Sequence, residues 1–360
     1  MDSNVLIRER TLEWQRRSTM RLTELVRFNI KGRESAKSLR ETRSIFQGII
    51  IDMMNGGDQR NGIVNAIRLI SNRMKLDRKD VEKCLEWPSD YEVPDFEKKF
   101  HHDRGSDRSV FKVEFDIDRK ISIELPITRY DEIMERGLSE ERMIHFVERY
   151  SFLSPELGFF WSVHPEGYEI IRSRKDQNTH RVIEGFASPL NHNLEEWCAA
   201  YESDKELGSL GTFQNVIRST VTPEGKSIRW TVNPAYTDLL LDISHREVMA
   251  RMEKYPEDEF FMLLPGWHDP PIIEFLVKNG ECWFLEGGTY RVYDHLAGQT
   301  VNVPKSIGMF IGYVRSKDAT LPVVPFVKDV VDASYLGKGP RPKMITMDDI
   351  RISSAINKKL

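Results

Sequence analysis

The sequence predicts an α/β fold in which a helical domain precedes a mostly parallel sheet. Three observations carry this. Apolar residues recur at helical spacing through residues 5–90, with no proline before Pro88 to interrupt them. Two runs that alternate apolar and polar residues follow, at 110–117 and 120–127. From about residue 182 the pattern becomes strand, helix, strand, which favours parallel pairing with a site at the carboxyl ends of strands.

Taken in order, the first helices show Leu22, Leu25 and Val26 on one face and Ile63, Ile67 and Ile70 on another. The stretch from Trp87 to Asp107 carries Pro88 and Pro94 and then a polar tip, which predicts a linker. The runs VFKVEFDI and KISIELPI read as two strands joined tightly at Asp118-Arg119. Ser139, with Glu141 and Arg142 close behind, predicts a helix over 139–152. Further strands are expected at 228–232, 260–264, 282–286 and 307–314, with an amphipathic helix over 235–255. The boundaries that follow are a helical, partly basic domain at 1–95, a mixed connecting region at 96–180, the main α/β core at 181–330 and a loosely held tail at 331–360.

Composition excludes several function classes. Of 360 residues, 40% are hydrophobic and 30% charged, as in globular proteins. No apolar run approaches the ~18 residues that a membrane span needs, and the N-terminal MDSNVLIRER has no apolar signal core. Cys84, Cys198 and Cys282 stand far apart without a CxxC pair, which disfavours a disulfide framework or a zinc finger. An intracellular protein is expected, nucleus or cytoplasm left open, acting as a monomer without a membrane or a metal. The net charge of −4 conceals a basic segment, since residues 1–50 hold eleven Lys/Arg against six Asp/Glu. Such a segment is compatible with phosphate binding.

The segment Trp230-Thr-Val-Asn233-Pro234-Ala235-Tyr236 is the most informative. Asn-Pro at a strand end is in the first place an ordinary turn signal, and the aromatic after it is often core. The same arrangement suits chemistry on an exocyclic amine. The N6 lone pair of adenine is delocalised into the ring, so the amine is a poor nucleophile. Two acceptors aimed at its protons, the Asn233 side-chain oxygen and the Pro234 carbonyl, favour a pyramidal nitrogen. Tyr236 supplies a face for an extruded base.

Several segments in one order resemble the cap-specific adenosine N6-methyltransferases, a family named for a factor that binds the phosphorylated tail of RNA polymerase II. Phe186-Ala-Ser-Pro-Leu-Asn191 matches its FASPLN segment. Cys198-Ala-Ala-Tyr201, Asp204 and Gly208-Ser-Leu-Gly211 match a Cys, small, Ala, aromatic, Asp, GSxG pattern. Asn233-Pro-Ala-Tyr236 corresponds to NPPF, Leu264-Pro-Gly-Trp267-His-Asp-Pro-Pro271 is similar to IPEWxEPP, and Thr289-Tyr-Arg291 resembles EYR. The resemblance covers roughly residues 180–315 and is not evident in the N-terminal half.

It implies a Rossmann-like class I methyltransferase core preceded by a helical domain, with S-adenosyl-L-methionine as methyl donor and capped RNA starting with adenosine as substrate. Asn233, Pro234, Ala235 and Tyr236 would hold the target adenine and border the donor. Ser188, Pro189, Asn191, Ser209, Gly211 and Asn233 would form the donor pocket. Asp238, Gly266, Trp267, His268, Asp269, Pro270, Thr289, Tyr290 and Arg291 would contact the cap nucleotides. Three departures stand out: Ala235 replaces the second proline, Tyr236 replaces phenylalanine, and Gly266 replaces the glutamate before the tryptophan. No counterpart of the family's WW module is expected, so docking on the polymerase tail is not implied.

Other features weigh less. Gly208-Ser-Leu-Gly211 alone would be a plain turn, because a full GxGxxG is absent. Trp267 alone would be a packing anchor in a proline-flanked loop. Arg10, Trp14, Arg17 and Arg21 share one helical face, which suits either solvent or a phosphate track. His101-His102-Asp103 lacks spaced partner ligands and is expected in an exposed loop. Methylation of DNA or internal RNA adenine, or a catalytically inactive RNA-binding relative, remain as alternatives.

Overall fold

The computed structural model describes residues 3–54, 58–87, 99–103, 110–115, 121–126, 131, 134–135, 150, 161–175, 177–189, 191–235, 238–266, 270–295, 299–305, 308–322 and 325–350. Two compact units emerge, residues 1–159 with 237–240, and residues 160–236 with 241–360. Residues 160–180, read from sequence as part of a connecting region, therefore group with the large sheet.

In the first unit, helices α1 (Ser3–Asn29), α2 (Arg33–Met54), α3 (Gln59–Met74) and α4 (Arg78–Cys84) form the helical domain. Asp58 and Asp77 cap α3 and α4 by accepting from main-chain N–H groups of their first turns. The stripes read from sequence are inward faces: Leu22, Val26, Ile67 and Ile70 are buried in one cluster, and Leu25 and Ile63 pack against it. Three antiparallel strands follow, β1 (Lys99–Asp103), β2 (Val110–Phe115) and β3 (Ile121–Pro126), with Phe115 opposite Ile121. The pair β2–β3 was legible, but β1 was not, and it puts His101-His102-Asp103 on a strand instead of the expected loop. The helix expected at 139–152 lies outside the described residues except for Tyr150.

The arginine stripe of α1 is corrected by its central residue. Trp14 is fully buried, donates its indole N–H to the Leu85 carbonyl at 2.9 Å, and packs on Phe46 and Trp87. Arg21 on the same face donates to the Lys83 carbonyl at 3.3 Å. Trp14 therefore belongs to the core between α1 and the segment after α4, while Arg21 stays exposed beside α4. The Arg10 side chain lies outside the described residues. Trp14→Ala is expected to lower stability by about 3–5 kcal/mol, the usual cost of emptying a buried tryptophan site. A urea unfolding midpoint unchanged from wild type would contradict that packing.

The second unit is built on a seven-stranded sheet. Strands β5 (Thr179–Ala187), β6 (Trp197–Ala199), β7 (Ser227–Val232) and β8 (Glu259–Pro265) pair in parallel in the order β6-β5-β7-β8. Beyond β8 the order continues β12 (Met309–Arg315), β9 (Gly280–Leu285) and β13 (Lys343–Met344), each pair antiparallel. The sheet is thus mixed, where sequence predicts it mostly parallel. No crossover helix lies in the described residues between β9 and β12; they hold a small antiparallel sheet instead. It consists of β11 (Gln299–Asn302), β10 (Arg291–Asp294) and β4 (Trp161–Val163). The returning strand then runs opposite to its neighbours.

Both faces of the sheet are covered. Along β8, Phe260, Met262 and Leu264 share one buried cluster with α6 (Phe213–Ser219), α7 (Asp238–Lys254) and α8 (Pro270–Asn279). Phe261 and Leu263 face α5 (Pro165–Ser173) and α9 (Val327–Ser334). Burial on both sides explains why β8 reads as a continuous apolar run, while β7 alternates Ile228, Trp230 and Val232 with the buried polar residues Ser227, Arg229 and Thr231. The tail is better held than its composition suggests, since Lys343 and Met344 extend the sheet beside β9 and Ile345 and Ile350 pack on the core. Among the described residues, no helix is long and apolar enough to cross a membrane.

Candidate functional site

The strand order reverses next to β5. The chain leaves β5 for β6 on one side, then returns to form β7 on the other. In such sheets the loops at the carboxyl ends of the two diverging strands part and leave a crevice, the usual binding position. The loops at this edge are Ser188–Asn191 after β5, the segment after β6, Asn233–Ala235 after β7 and Gly266 after β8. Most of the motif residues read from sequence fall here.

After β5 the chain makes a closed turn. The Ser188 carbonyl accepts from the N–H groups of Asn191 and His192, both at 3.1 Å, and the Ser188 hydroxyl donates to Asn191 Oδ1 at 2.9 Å. Ser188 and Asn191 are buried, so these two side chains first of all shape the turn. Glu184, a buried carboxylate near the end of β5, braces the loop from below. It accepts from the Tyr168 hydroxyl at 2.7 Å and from the N–H groups of Asn193 and Leu194 at 2.7 and 3.1 Å. Burial raises its pKa, opposed by these donors. Sequence reading passed over Glu184, although a lone carboxylate in the apolar run Val182-Ile183-Glu184 was a usable signal.

After β6, the 3₁₀ turn Glu202–Leu207 ends at Gly208, whose φ of 92° is the left-handed conformation that glycine adopts freely. Gly211 lies beside β6, its carbonyl accepting from Ala199 N–H at 2.8 Å, and its own N–H donates to the buried Ser209 hydroxyl at 3.1 Å. With a φ of 115°, and with the place of a Cβ only 2.7 Å from Lys205 Cε, position 211 accepts little but glycine. The Glu202 carboxylate accepts from Thr212 N–H at 2.9 Å and Asn215 at 3.2 Å, and pairs with Lys205. Burial would raise its pKa, but these partners outweigh it and hold Glu202 at about 2. A carboxylate thus already sits at the start of α6, bonded to the N–H of Thr212, which precedes the helix, and to the Asn215 side-chain amide. A phosphate at this glycine turn would meet a like charge, whereas hydroxyls or a cation would not.

After β7, Asn233 is half-buried, and its amide nitrogen donates to the Trp161 carbonyl on β4 at 3.0 Å. Pro234 and Ala235 are buried behind it. Tyr236 lies outside the described residues, as do Trp267, His268 and Asp269. Asp238 and Pro270 begin α7 and α8, and their side chains likewise lie outside the described residues. Gly266 is held against the start of β12: its N–H donates to the Gly308 carbonyl at 2.7 Å, and a Cβ there would lie 2.6 Å from the Gly308 main chain. A glutamate does not fit this backbone approach, which accounts for the departure at 266.

Thr289 and Tyr290, which lead into β10, and Arg291, its first residue, make the following contacts within this unit. Tyr290 is fully buried beneath the small sheet. The Thr289 hydroxyl donates to the Glu286 carbonyl at 2.6 Å. Arg291 donates to Glu166 at 2.7 Å and to the Ala333 carbonyl at the end of α9 at 3.1 Å. Among the described residues no group of three or more His, Cys, Asp or Glu side chains is arranged to hold a metal ion.

Comparison with known proteins adds one finding. Residues 130–281 are similar to the family described as the phosphorylated CTD interacting factor 1 WW domain, which points to that family. The match goes against the expectation that the chain has no counterpart of the WW module. The described residues of the segment do not form a three-stranded unit of their own, for they run from β4 through β8 and α8 into β9. No curated protein matches the chain.

Proposed function

We propose that the chain is an S-adenosyl-L-methionine-dependent methyltransferase acting on N6 of the adenosine next to an mRNA cap. The observation that carries this reading is Asn233-Pro234 at the carboxyl end of β7, beside the reversal of strand order, with the Asn233 amide held by Trp161. A lone antiparallel strand, β12, set between two strands that run the other way is also the arrangement expected of a class I methyltransferase core.

The residues at the edge fit such a donor. It carries ribose hydroxyls, a sulfonium and an ammonium against one carboxylate and no phosphate, so its hydroxyl or cationic part suits the glycine turn that already holds the Glu202 carboxylate. The main chain of the turn at Ser188, Pro189 and Asn191 and the segment Ser209–Gly211 would hold it. When bound, the donor would supply an electrophilic methyl group on its sulfonium; the S–CH₃ bond would break as the N6–CH₃ bond forms, with S-adenosylhomocysteine as the neutral leaving group and one N6 proton lost to water. Asn233 Oδ1 and the Pro234 carbonyl accept from the N6 protons and draw its lone pair toward the methyl. Tyr236 offers a stacking face for the base. The family's name carries an interaction with a phosphorylated CTD, and for this chain such an interaction would accompany the reaction without taking part in it.

The test is methyl transfer from labelled donor to capped RNA, uncapped RNA and DNA oligonucleotides that present adenine. Transfer to capped RNA in preference to the others is expected, and S-adenosylhomocysteine should raise the melting temperature by mass action, since it adds ~2.7 kcal/mol of stability at one hundred times its Kd. Equal transfer to DNA would replace the cap by a general adenine substrate. Neither transfer nor product binding at high micromolar ligand would leave an inactive RNA-binding relative.

A further inference from the structure

We propose that the main-chain carbonyl of Trp161 is the positioning group that sets the orientation of the Asn233 amide, and that β4 exists in this unit to present it. The inference rests on the methyltransferase reading for its catalytic consequence, but not for its geometry.

Asparagine has one donor end and one acceptor end, and which of them faces the substrate decides whether it can act on an amine. The two ends are ordinarily hard to tell apart, and the assignment comes from their partners. Here the partner is unambiguous. A peptide carbonyl can only accept, so the group 3.0 Å from the Trp161 oxygen must be the NH₂. The planar amide then directs Oδ1 away from β4. Among the described residues the Asn233 side chain makes no other hydrogen bond, which leaves Oδ1 for a donor such as an N6 proton. One main-chain contact thereby removes the wrong rotamer in advance, which is the preorganisation that such acceptors need.

The carbonyl is itself fixed. β4 pairs with β10, Trp161 opposite Asp294 and Val163 opposite Val292. The Trp161 indole N–H donates to Asp294 at 3.4 Å, and the buried Ser162 hydroxyl lies 2.9 Å from His295 Nε2. A three-residue strand is therefore held at both of its first two side chains. The contact spans 72 positions of sequence and uses a main-chain oxygen, so no residue-type pattern announces it.

Asn233→Asp separates orientation from the mere presence of an acceptor. The ionised carboxylate keeps two acceptor oxygens but sets one against the Trp161 carbonyl. The protonated acid restores the native pattern, its O–H donating to Trp161 and its C=O facing the amine. The folded pKa of the introduced carboxyl is thus raised above its unfolded value. Its stabilising contact is complete below the unfolded pKa and is lost as pH rises through the folded pKa. Asp294 and His295 are the titratable groups bonded to β4, and both are common to variant and wild type, so the ratio cancels them.

Turnover of the variant relative to wild type at each pH should fall roughly tenfold per pH unit once the carboxyl ionises. Its melting temperature should drop below wild type by roughly 3–5 °C more at pH 8 than at pH 5. A turnover ratio that is flat, zero throughout or rising with pH would overturn the positioning role, as would a melting difference independent of pH. Should wild type transfer no methyl while the melting difference widens as expected, the methyltransferase reading fails and the orientation of Asn233 stands.

Discussion

Replacing Asn233 by alanine is expected to lower turnover about 10²–10³-fold while leaving binding of S-adenosylhomocysteine within a few-fold of wild type. The adenine amine needs acceptors that draw its lone pair out of the ring, and they matter more as the nitrogen becomes pyramidal than in the ground state. Loss of such an interaction appears in kcat and kcat/KM together, with little change in KM. Asn233 is half-buried and anchored by a single hydrogen bond to Trp161, and no part of the sheet depends on its side chain. The variant should therefore fold, with a melting temperature near that of wild type. Single-turnover methyl transfer on capped RNA, alongside calorimetry with the product, separates the two effects. Turnover within threefold of wild type would remove Asn233 from the chemistry.

What the sequence made legible divides along physical lines. Strands β7, β8, β9 and β12 are legible within two residues of their observed ends, β8 and β12 as apolar runs and β7 as an alternation of Ile228, Trp230 and Val232 with polar residues. The helical faces of α1 and α3 were equally plain. A helical wheel shows which residues share a face but not what that face meets, so Trp14 was placed beside arginines on a surface when it lies in the core. The direction of β12 was hidden, since an apolar run carries no sign of its orientation and only the connection decides it. At the edge of the sheet, Asn233, Pro234 and Ser188 fell where their motifs suggested, because strand-end motifs locate themselves once the strands are known. The main-chain anchor at Trp161 had no such signal. The burial of Tyr290 and the bonds of Thr289 and Arg291 to main-chain carbonyls likewise come from residues distant in sequence or from the local turn, and no residue-type pattern announces them.

Asp258→Ala is expected to be the most destabilising single change in the sheet unit, by about 3–5 kcal/mol, the cost of stripping a buried ion of its partner. Asp258 is fully buried at the amino edge of the sheet, opposite the candidate site. One carboxylate oxygen accepts from the Thr222 hydroxyl at 2.8 Å and the Ile228 N–H at 2.9 Å. The other accepts from the Trp230 indole at 3.2 Å and from Arg251 at 2.7 Å. Arg251 in turn donates to the carbonyls of Ile217 and Thr220 and stacks over Tyr255, with its guanidinium 3.9 Å from the ring centroid. One carboxylate thus ties β7, β8, α7 and the end of α6 at a single point. Alanine would leave the Arg251 cation buried without its counter-charge and three neutral donors without an acceptor. Asp258→Asn either keeps its oxygen for Thr222 and Ile228 and turns its NH₂ toward Arg251 and Trp230, or gives Arg251 a neutral oxygen and sets its NH₂ against the Ile228 N–H, so an intermediate loss is expected. For a unit of this size each kcal/mol moves the melting temperature by roughly 2–4 °C, so the alanine variant should melt roughly 6–20 °C lower. Because the network sits at the far edge of the strands, kcat and KM measured well below the lowered melting temperature should match wild type. A loss under 1 kcal/mol would mean that Arg251 reaches solvent, and an altered KM would mean that the two edges of the sheet are coupled through β7.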